Sequence, residues 1–268
     1  MPGQTVTVQH DPARYGDAFA DVYDDWYGTA FDTDGAVTLL SSLAGAGPVI
    51  ELGVGTGRLA LPLAAGGLAV VGVDASVPML ERLAAKPGAE RVHTVLADMA
   101  AVGSAVAAAG RDVPAGGYAL AFCAYNTFLN LDREDAQQRC LVEVAGLLAP
   151  GGALVLEAFV PAAPEDVPRT SIDVSRVTSD AVVLTCTEHD PVLQLVTGQH
   201  VELRDGSVRL RPWSVRYLTP AQLDALAAEA GLVLEVRWAD WRGTPFDDDS
   251  GSHVSLYRRS RQEPSGAG

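Results

Sequence analysis

Apolar and polar positions follow two rhythms along the chain. From Asp11 to Gly28, the rings of Tyr15, Phe19, Tyr23, Trp26 and Tyr27 recur every three or four positions, which predicts a helix with one aromatic face. A second helix is predicted around Asp34 to Leu43. The Gly-rich turn Gly45 to Pro48 then leads into the apolar run Val49-Ile50-Glu51-Leu52, read as a buried strand. Beyond it the two periods alternate. Helices are predicted over Arg58 to Ala65, Val77 to Ala85 and Arg133 to Leu147, and strands over Ala69 to Val73, Arg91 to Ala97, Tyr118 to Cys123 and Ala153 to Phe159. That order predicts a parallel sheet covered by helices. The Ala- and Gly-rich stretch Ala101 to Gly117 reads as a loop with at most one helical turn.

After the Pro-rich linker Pro161 to Pro168 the rhythm changes. Thr170 to Leu218 alternates with period two and contains an Asp205-Gly206 turn, the pattern of an antiparallel meander. Thr219-Pro220 supplies a cap and a first-turn proline for a helix ending before Gly231. Strands over Leu232 to Trp238 and His253 to Arg258 would complete the main sheet, and the tail from Ser260 is expected to be disordered.

Composition narrows the function. The 268 residues carry 19 Lys and Arg against 34 Asp and Glu, a net charge of −15, and Lys86 is the sole lysine. Such a surface repels phosphate backbones, so nucleic acid is not an expected partner. Cys123, Cys140 and Cys186 lack paired spacing, which points to free thiols in a reducing cytoplasm and to no metal site. No apolar run is long enough to cross a membrane.

The chemistry concentrates in Glu51-Leu52-Gly53-Val54-Gly55-Thr56-Gly57-Arg58, between a predicted strand and a predicted helix. Glycines at Gly53, Gly55 and Gly57 permit a tight turn and close approach of a ligand to the backbone. Asp74 ends the next strand, where a carboxylate can accept from both hydroxyls of a ribose. An adenosine-type ligand follows, shared by dinucleotide oxidoreductases and methyltransferases that use S-adenosylmethionine. Glu51 separates the two, because a carboxylate would crowd a pyrophosphate but can face the ammonium of a methionine-like group. Asp98 ends the third strand and can accept from an adenine amino group, while Met99 packs on the ring.

With these residues in view, the chain resembles the class I, Rossmann-like S-adenosylmethionine-dependent methyltransferases. The resemblance rests on Glu51 to Gly57, Val73 to Leu80, Ala97-Asp98-Met99 and Leu148-Ala149-Pro150-Gly151-Gly152. It implies an α/β fold in which a seven-stranded sheet carries helices on both faces. It also implies S-adenosylmethionine as cofactor and S-adenosylhomocysteine as product. Gly53, Gly55 and Gly57 would approach the cofactor, with Asp74 on its ribose and Ala75 and Met79 flanking its adenine. Tyr23, Glu51, Asp98, Met99 and Ala124 complete the expected cofactor set. Five regions are expected: cap helices over 1–47, a cofactor-binding core over 48–160, an inserted lid over 161–218, completion of the core over 219–259 and a tail over 260–268.

The aromatic N-terminus and the meander are similar to those of bacterial small-molecule methyltransferases, such as the amino-sugar and glycine or sarcosine N-methyltransferases. In those proteins the segment matching Cys123 to Asn130 faces the methyl group, and some carry a histidine near the place of Asn130. Methyl transfer needs alignment in a dry site more than acid or base strength. Aromatic faces can stabilise a sulfonium, which makes Tyr23, Tyr27 and Tyr125 candidates for the lining of the site; Tyr23 and Tyr27, with Asn130 from the segment that the resemblance places at the methyl group, are the catalytic candidates. Tyr125, Asn126, His200, Trp213 and Arg216 are the candidates for contact with a small-molecule acceptor. Nitrogen is the expected acceptor atom, with carbon or oxygen of an indole-like or phenolic ring as the alternative. A nicotinamide oxidoreductase and a non-catalytic S-adenosylmethionine-binding protein remain as readings of other classes. The meander also offers a surface for a homodimer.

Overall fold

A computed structural model describes residues 11–260 apart from 29, 111, 112 and 134. The tail expected to be disordered thus lies, from 261 on, outside the described residues. A seven-stranded sheet is built from β1 (Val49–Leu52), β2 (Val70–Asp74), β3 (Val92–Leu96), β4 (Tyr118–Cys123), β5 (Leu148–Phe159), β10 (Leu232–Trp238) and β11 (Ser252–Arg259). The spatial order is β10-β11-β5-β4-β1-β2-β3, with β11 antiparallel to β5 and to β10. The strand order reverses at β1, which pairs in parallel with both β2 and β4. A ligand crevice belongs beyond the carboxyl ends of strands at such a reversal.

Because the strands bury both faces, they read as apolar runs rather than alternating ones. Ile50, Leu52, Val73, Ala121, Cys123 and Leu154 pack on one face under α6 (Val102–Ala108), α7 (Ala136–Leu147) and α8 (Pro220–Glu229). Val49, Val70, Leu120, Phe122 and Val155 pack on the other under α3 (Thr33–Ala44), α4 (Ala60–Ala65) and α5 (Val77–Ala84). The Thr219-Pro220 signal forms a full capping box, in which the Thr219 side chain and the Gln222 side chain each bond the other's backbone N–H.

The inserted sheet runs β6 (Thr170–Val177), β7 (Ala181–Asp190), β8 (Leu195–Arg204) and β9 (Ser207–Arg216), antiparallel throughout. Its inner face meets the cap. There, Gly198 on β8 lies directly beneath Trp213 on β9, and a Cβ at Gly198 would come 2.2 Å from the indole. The glycine is what lets the ring lie flat against the sheet.

Three elements differ from the sequence expectation. The stretch Ala101 to Gly117 contains a true helix, α6, whose Val102 and Val106 supply one buried stripe among alanines too uniform to reveal it. Strand β5 starts at Leu148 instead of Ala153, with a register shift that absorbs the Pro150-Gly151-Gly152 segment. The aromatic cap is two helices, α1 (Arg14–Phe19) and α2 (Tyr23–Tyr27). The break has a distant cause: Arg211 of β9 donates to the Ala18 carbonyl and pairs with Asp21 at 2.6 Å, capturing the end of α1. The bend turns Phe19, fully buried, into a small core with Ala20 and Met79.

Candidate active site

Two cavities open at the carboxyl end of the sheet. The first, of about 650 Å³, is floored by Gly53, Gly55, Asp74, Ala75, Met79, Asp98 and Met99 and roofed by Tyr15, Gly16 and Tyr23 of the cap. Gly53, Gly55 and Gly57 adopt φ of 69°, 53° and 85°, a left-handed backbone that few other residues take without strain. At Gly53 a Cβ would also meet the Thr127 methyl at 2.2 Å. Asp74 fixes the loop, since its Oδ2 accepts from the Gly55 N–H at 2.8 Å and its Oδ1 from the Ser76 N–H at 2.9 Å. Burial raises the Asp74 pKa, although these amide donors hold it down in part.

Glu51 lies buried under this loop, and its Oε2 has no hydrogen-bond partner. Burial pushes its carboxyl up to about 8; Arg58 opposes that shift and the Asp74 carboxylate adds to it. A buried acceptor without a donor is costly unless a ligand supplies one. The unpartnered Glu51 oxygen, the open glycine turn and Asp74 offer what an S-adenosyl group would need, an acceptor for its ammonium and one for its ribose hydroxyls.

The second cavity, of about 840 Å³, shares Tyr15, Tyr23, Thr127 and Asn130 with the first. Its remaining walls include Tyr27, Tyr125, Asn126, Phe159, His200 and Trp213. No carboxylate, lysine or arginine lines it among the described residues. The aromatic wall is continuous: Tyr27 stands 5.9 Å from Tyr125, and Tyr125 stands 3.8 Å from Phe31 in an edge-on contact. Arg58 sits over Phe31 at 4.3 Å from the ring centroid.

The corner that aims Tyr125 is strained. Tyr125 and Asn126 have φ of 52° and 58°, which costs on the order of 1–3 kcal/mol each in residues other than glycine. Glu157 of β5 holds the corner by accepting from the Tyr125 N–H at 2.6 Å, and the Asn126 Oδ1 accepts from the Phe159 N–H at 2.7 Å. The Asn126 side chain is thereby committed to the backbone.

The ionisable groups of this cavity stay neutral near pH 7. Burial, with a smaller contribution from neighbouring tyrosines, raises Tyr15 well above the usual phenol range. It pushes Tyr125 up to about 12, and Tyr23 rises for the same first reason. His200 is lowered, by burial and then by the charge of Arg211, so its imidazole is uncharged.

Most of the residues singled out from sequence come to these two cavities. Tyr23 and Asn130 line both; Tyr27, Tyr125, Asn126, His200 and Trp213 line the second. Four do not line either. Glu51 lies beneath the loop, Gly57 packs against Leu61 and Leu83, and Ala124 is buried behind the site. Arg216 points away because Trp213 and Val215 take the inner face of β9; its carbonyl accepts from Gln137. The substrate contact expected of it from sequence is therefore dropped. His189, also in the insert, is a buried partner of the Tyr217 hydroxyl at 2.8 Å. Sequence reasoning missed Tyr15, although it stands on the same stripe as Tyr23. It also missed Thr127 and Phe159, which carry no local signal, and Glu157, which reads as an ordinary strand residue.

The profile of the methyltransferase domain family matches residues 49–152. The chain is 39% identical to the CcbJ methyltransferase from Streptomyces caelestis, over 94% of this chain and 100% of that one, with a TM-score of 0.83. The fold is also shared with the sugar N-methyltransferase KedS8 from Streptoalloteichus (17% identity, 96% and 99% coverage, TM-score 0.62). A third match is S-adenosylmethionine-bound CalS10 from Micromonospora echinaspora, an amino pentose methyltransferase (18%, 88% and 92%, TM-score 0.59). A search among curated proteins finds no match. The chain belongs to the class I S-adenosylmethionine-dependent methyltransferases. That membership sets aside the oxidoreductase and the non-catalytic binding protein. Among the described residues there is no cluster suited to a metal ion, and no helix long and apolar enough to cross a membrane.

Proposed function

We propose that the protein methylates an amine nitrogen of a small molecule of specialised metabolism, with the acceptor held in the aromatic second cavity. The observation that carries the reading is the shared wall of Tyr15, Tyr23, Thr127 and Asn130 between that cavity and the glycine-loop cavity. S-adenosylmethionine supplies an electrophilic methyl on a sulfonium; this chain's residues bind, orient and exclude water. Tyr15, Tyr23, Tyr27 and Tyr125 present ring faces to a cationic amine without the ion pair that would lock its lone pair away. An ammonium must lose a proton before it can react, and the tyrosines are held as neutral phenols. His200 is the imidazole on this cavity and is uncharged, which suits it to accept that proton directly or through water. The likeness in fold to a sugar N-methyltransferase supports nitrogen. The same flat walls suit a phenol or an indole, which keeps oxygen or carbon as the second reading.

The test is incubation with S-adenosylmethionine and a panel of amino sugars, amino acids, phenols and indoles, with products identified by mass and fragmentation. The expected product carries its new methyl on nitrogen. A methyl on oxygen or carbon, with the amines inert, would replace the acceptor assignment.

The proposed setting is the cytoplasm, where Cys123, Cys140 and Cys186, all free thiols, stay reduced. The proposed assembly is a homodimer through the outer face of the inserted sheet. Ile172 (72% exposed), Val174, Val208 and Leu210 (59% exposed) make the centre of that face apolar and uncharged. With Val177 and Leu203 they form an exposed apolar patch, the kind of surface that marks a protein–protein contact. On a chain of net charge −15, an uncharged face is where two copies approach with least repulsion. Sedimentation should give twice the 28.0 kDa chain mass, and Leu210→Glu should return it to a single chain. A single-chain mass for the unaltered protein contradicts the dimer.

A further inference from the structure

The cap roofs the cofactor cavity, and three of its carboxylates, Asp17, Asp21 and Asp24, are each bonded to a different part of the molecule. Asp17 accepts from the Ser76 hydroxyl at 2.7 Å, and Asp21 pairs with Arg211 and Arg209 of the insert. Asp24 meets the glycine loop. Its Oδ1 accepts from the Thr56 hydroxyl at 2.6 Å, and its Oδ2 lies 2.8 Å from the Lys86 Nζ. The same ammonium donates to the Thr56 carbonyl at 2.9 Å.

We infer that Lys86 is a positioning residue that clasps the cap to the glycine loop and so sets how fast the S-adenosyl ligand leaves. Thr56 follows Gly55, whose N–H is held by Asp74 at the cavity floor, and Asp24 follows Tyr23, whose ring forms the roof. One ammonium thus bridges the floor and the roof of one cavity. Lifting Tyr23 away from the ligand moves Asp24, and Asp24 cannot move far without parting from Lys86 and Thr56. Burial works against ionisation of Asp24, but Lys86 and the Thr56 hydroxyl outweigh it and hold the carboxyl below its usual range, so the pair is charged at neutral pH. Both side chains are partly exposed, which makes the clasp breakable and sensitive to salt. A clasp of that strength suits a roof that must open once per turnover to release product.

Lys86 is also the only lysine, so its ε-amine is a reporter of its own state. The test has two readouts on the full-length protein. The first is the release rate of S-adenosylhomocysteine, followed by tryptophan fluorescence, from the unaltered protein, Lys86→Met and Lys86→Arg. The expected result is release about tenfold faster for Lys86→Met, and recovery of most of that loss in Lys86→Arg, as for a partly exposed charged contact. Added salt should speed release from the unaltered protein and leave Lys86→Met nearly unchanged. The second readout is modification of Lys86 by an amine-reactive ester, located by peptide mass, which bound S-adenosylhomocysteine should slow. A Lys86→Met release rate within about twofold of the unaltered one, or labelling of Lys86 indifferent to the ligand, overturns the inference. Thermal unfolding of the ligand-free variants separates a clasp from general loosening: the clasp predicts midpoints close together despite different release rates.

Discussion

Glu51→Gln is expected to weaken S-adenosylhomocysteine binding by about 10- to 100-fold, the worth of a charge-assisted contact, while making the ligand-free protein more stable in alkali. The two effects share one cause. Glu51 is a buried carboxyl with an unpartnered oxygen, and its pKa is pushed up to about 8, first by burial. A carboxyl whose pKa is raised by folding stabilises the fold only while protonated. That contribution is complete below the pKa of about 4.3 it has when unfolded, and it is lost as pH rises through about 8. Glutamine does not ionise, so the thermal midpoints of the two ligand-free proteins should diverge as pH rises from about 4.3 to about 8 and keep a constant offset above it, with the variant the more stable in alkali. A ligand ammonium beside Glu51 favours its charged form, so binding at pH 7 should release a proton. Calorimetry in two buffers of different ionisation heat measures that release, and Glu51→Gln should abolish it. Equal affinity in the two proteins, or no proton release, would remove Glu51 from the cofactor site.

Removing the ring of Tyr15 or Tyr23 is expected to lower turnover by about 100-fold, the scale of a small misplacement of reacting groups. Both rings stand at the junction of the cavities, so on the proposed reading each would border cofactor and acceptor together. The loss in Tyr15→Ala and Tyr23→Ala should exceed any change in the thermal midpoint or in S-adenosylhomocysteine affinity. Tyr23→Phe should keep most activity, because burial holds that phenol far from ionisation and its contribution is the ring face. Parallel losses of turnover and stability in the alanine variants would reduce both rings to packing.

The legible part of this protein was local. The glycine loop, Asp74, Asp98 and Met99 follow the ends of the three successive strands β1, β2 and β3, where spacing alone brings them to one cavity. The strands declared themselves because both faces of the main sheet are buried. What escaped depended on distant partners. The break between α1 and α2 comes from Arg211, far along the chain and on another sheet. The left-handed corner at Tyr125 and Asn126 depends on Glu157, which looks like any strand residue until β4 and β5 are paired. Arg216 does not line the cavity because the alternation along β9 puts Trp213 and Val215 on the side turned to the cap, a choice of face that depends on a distant element. Lys86 stood out by composition, yet its meeting with Asp24 and Thr56 exists only once the cap has folded over the loop.

The measurement that bears most directly on the cofactor site is a calorimetric titration of S-adenosylhomocysteine, with NAD as control, into the unaltered protein and Asp74→Ala. The unaltered protein should bind one S-adenosylhomocysteine per chain with micromolar or tighter affinity and give no signal with NAD. Asp74→Ala, which removes the ribose acceptor and frees the Gly55 amide, should bind at least about 100-fold more weakly. Unchanged affinity in Asp74→Ala would place the cofactor elsewhere and contradict the site described.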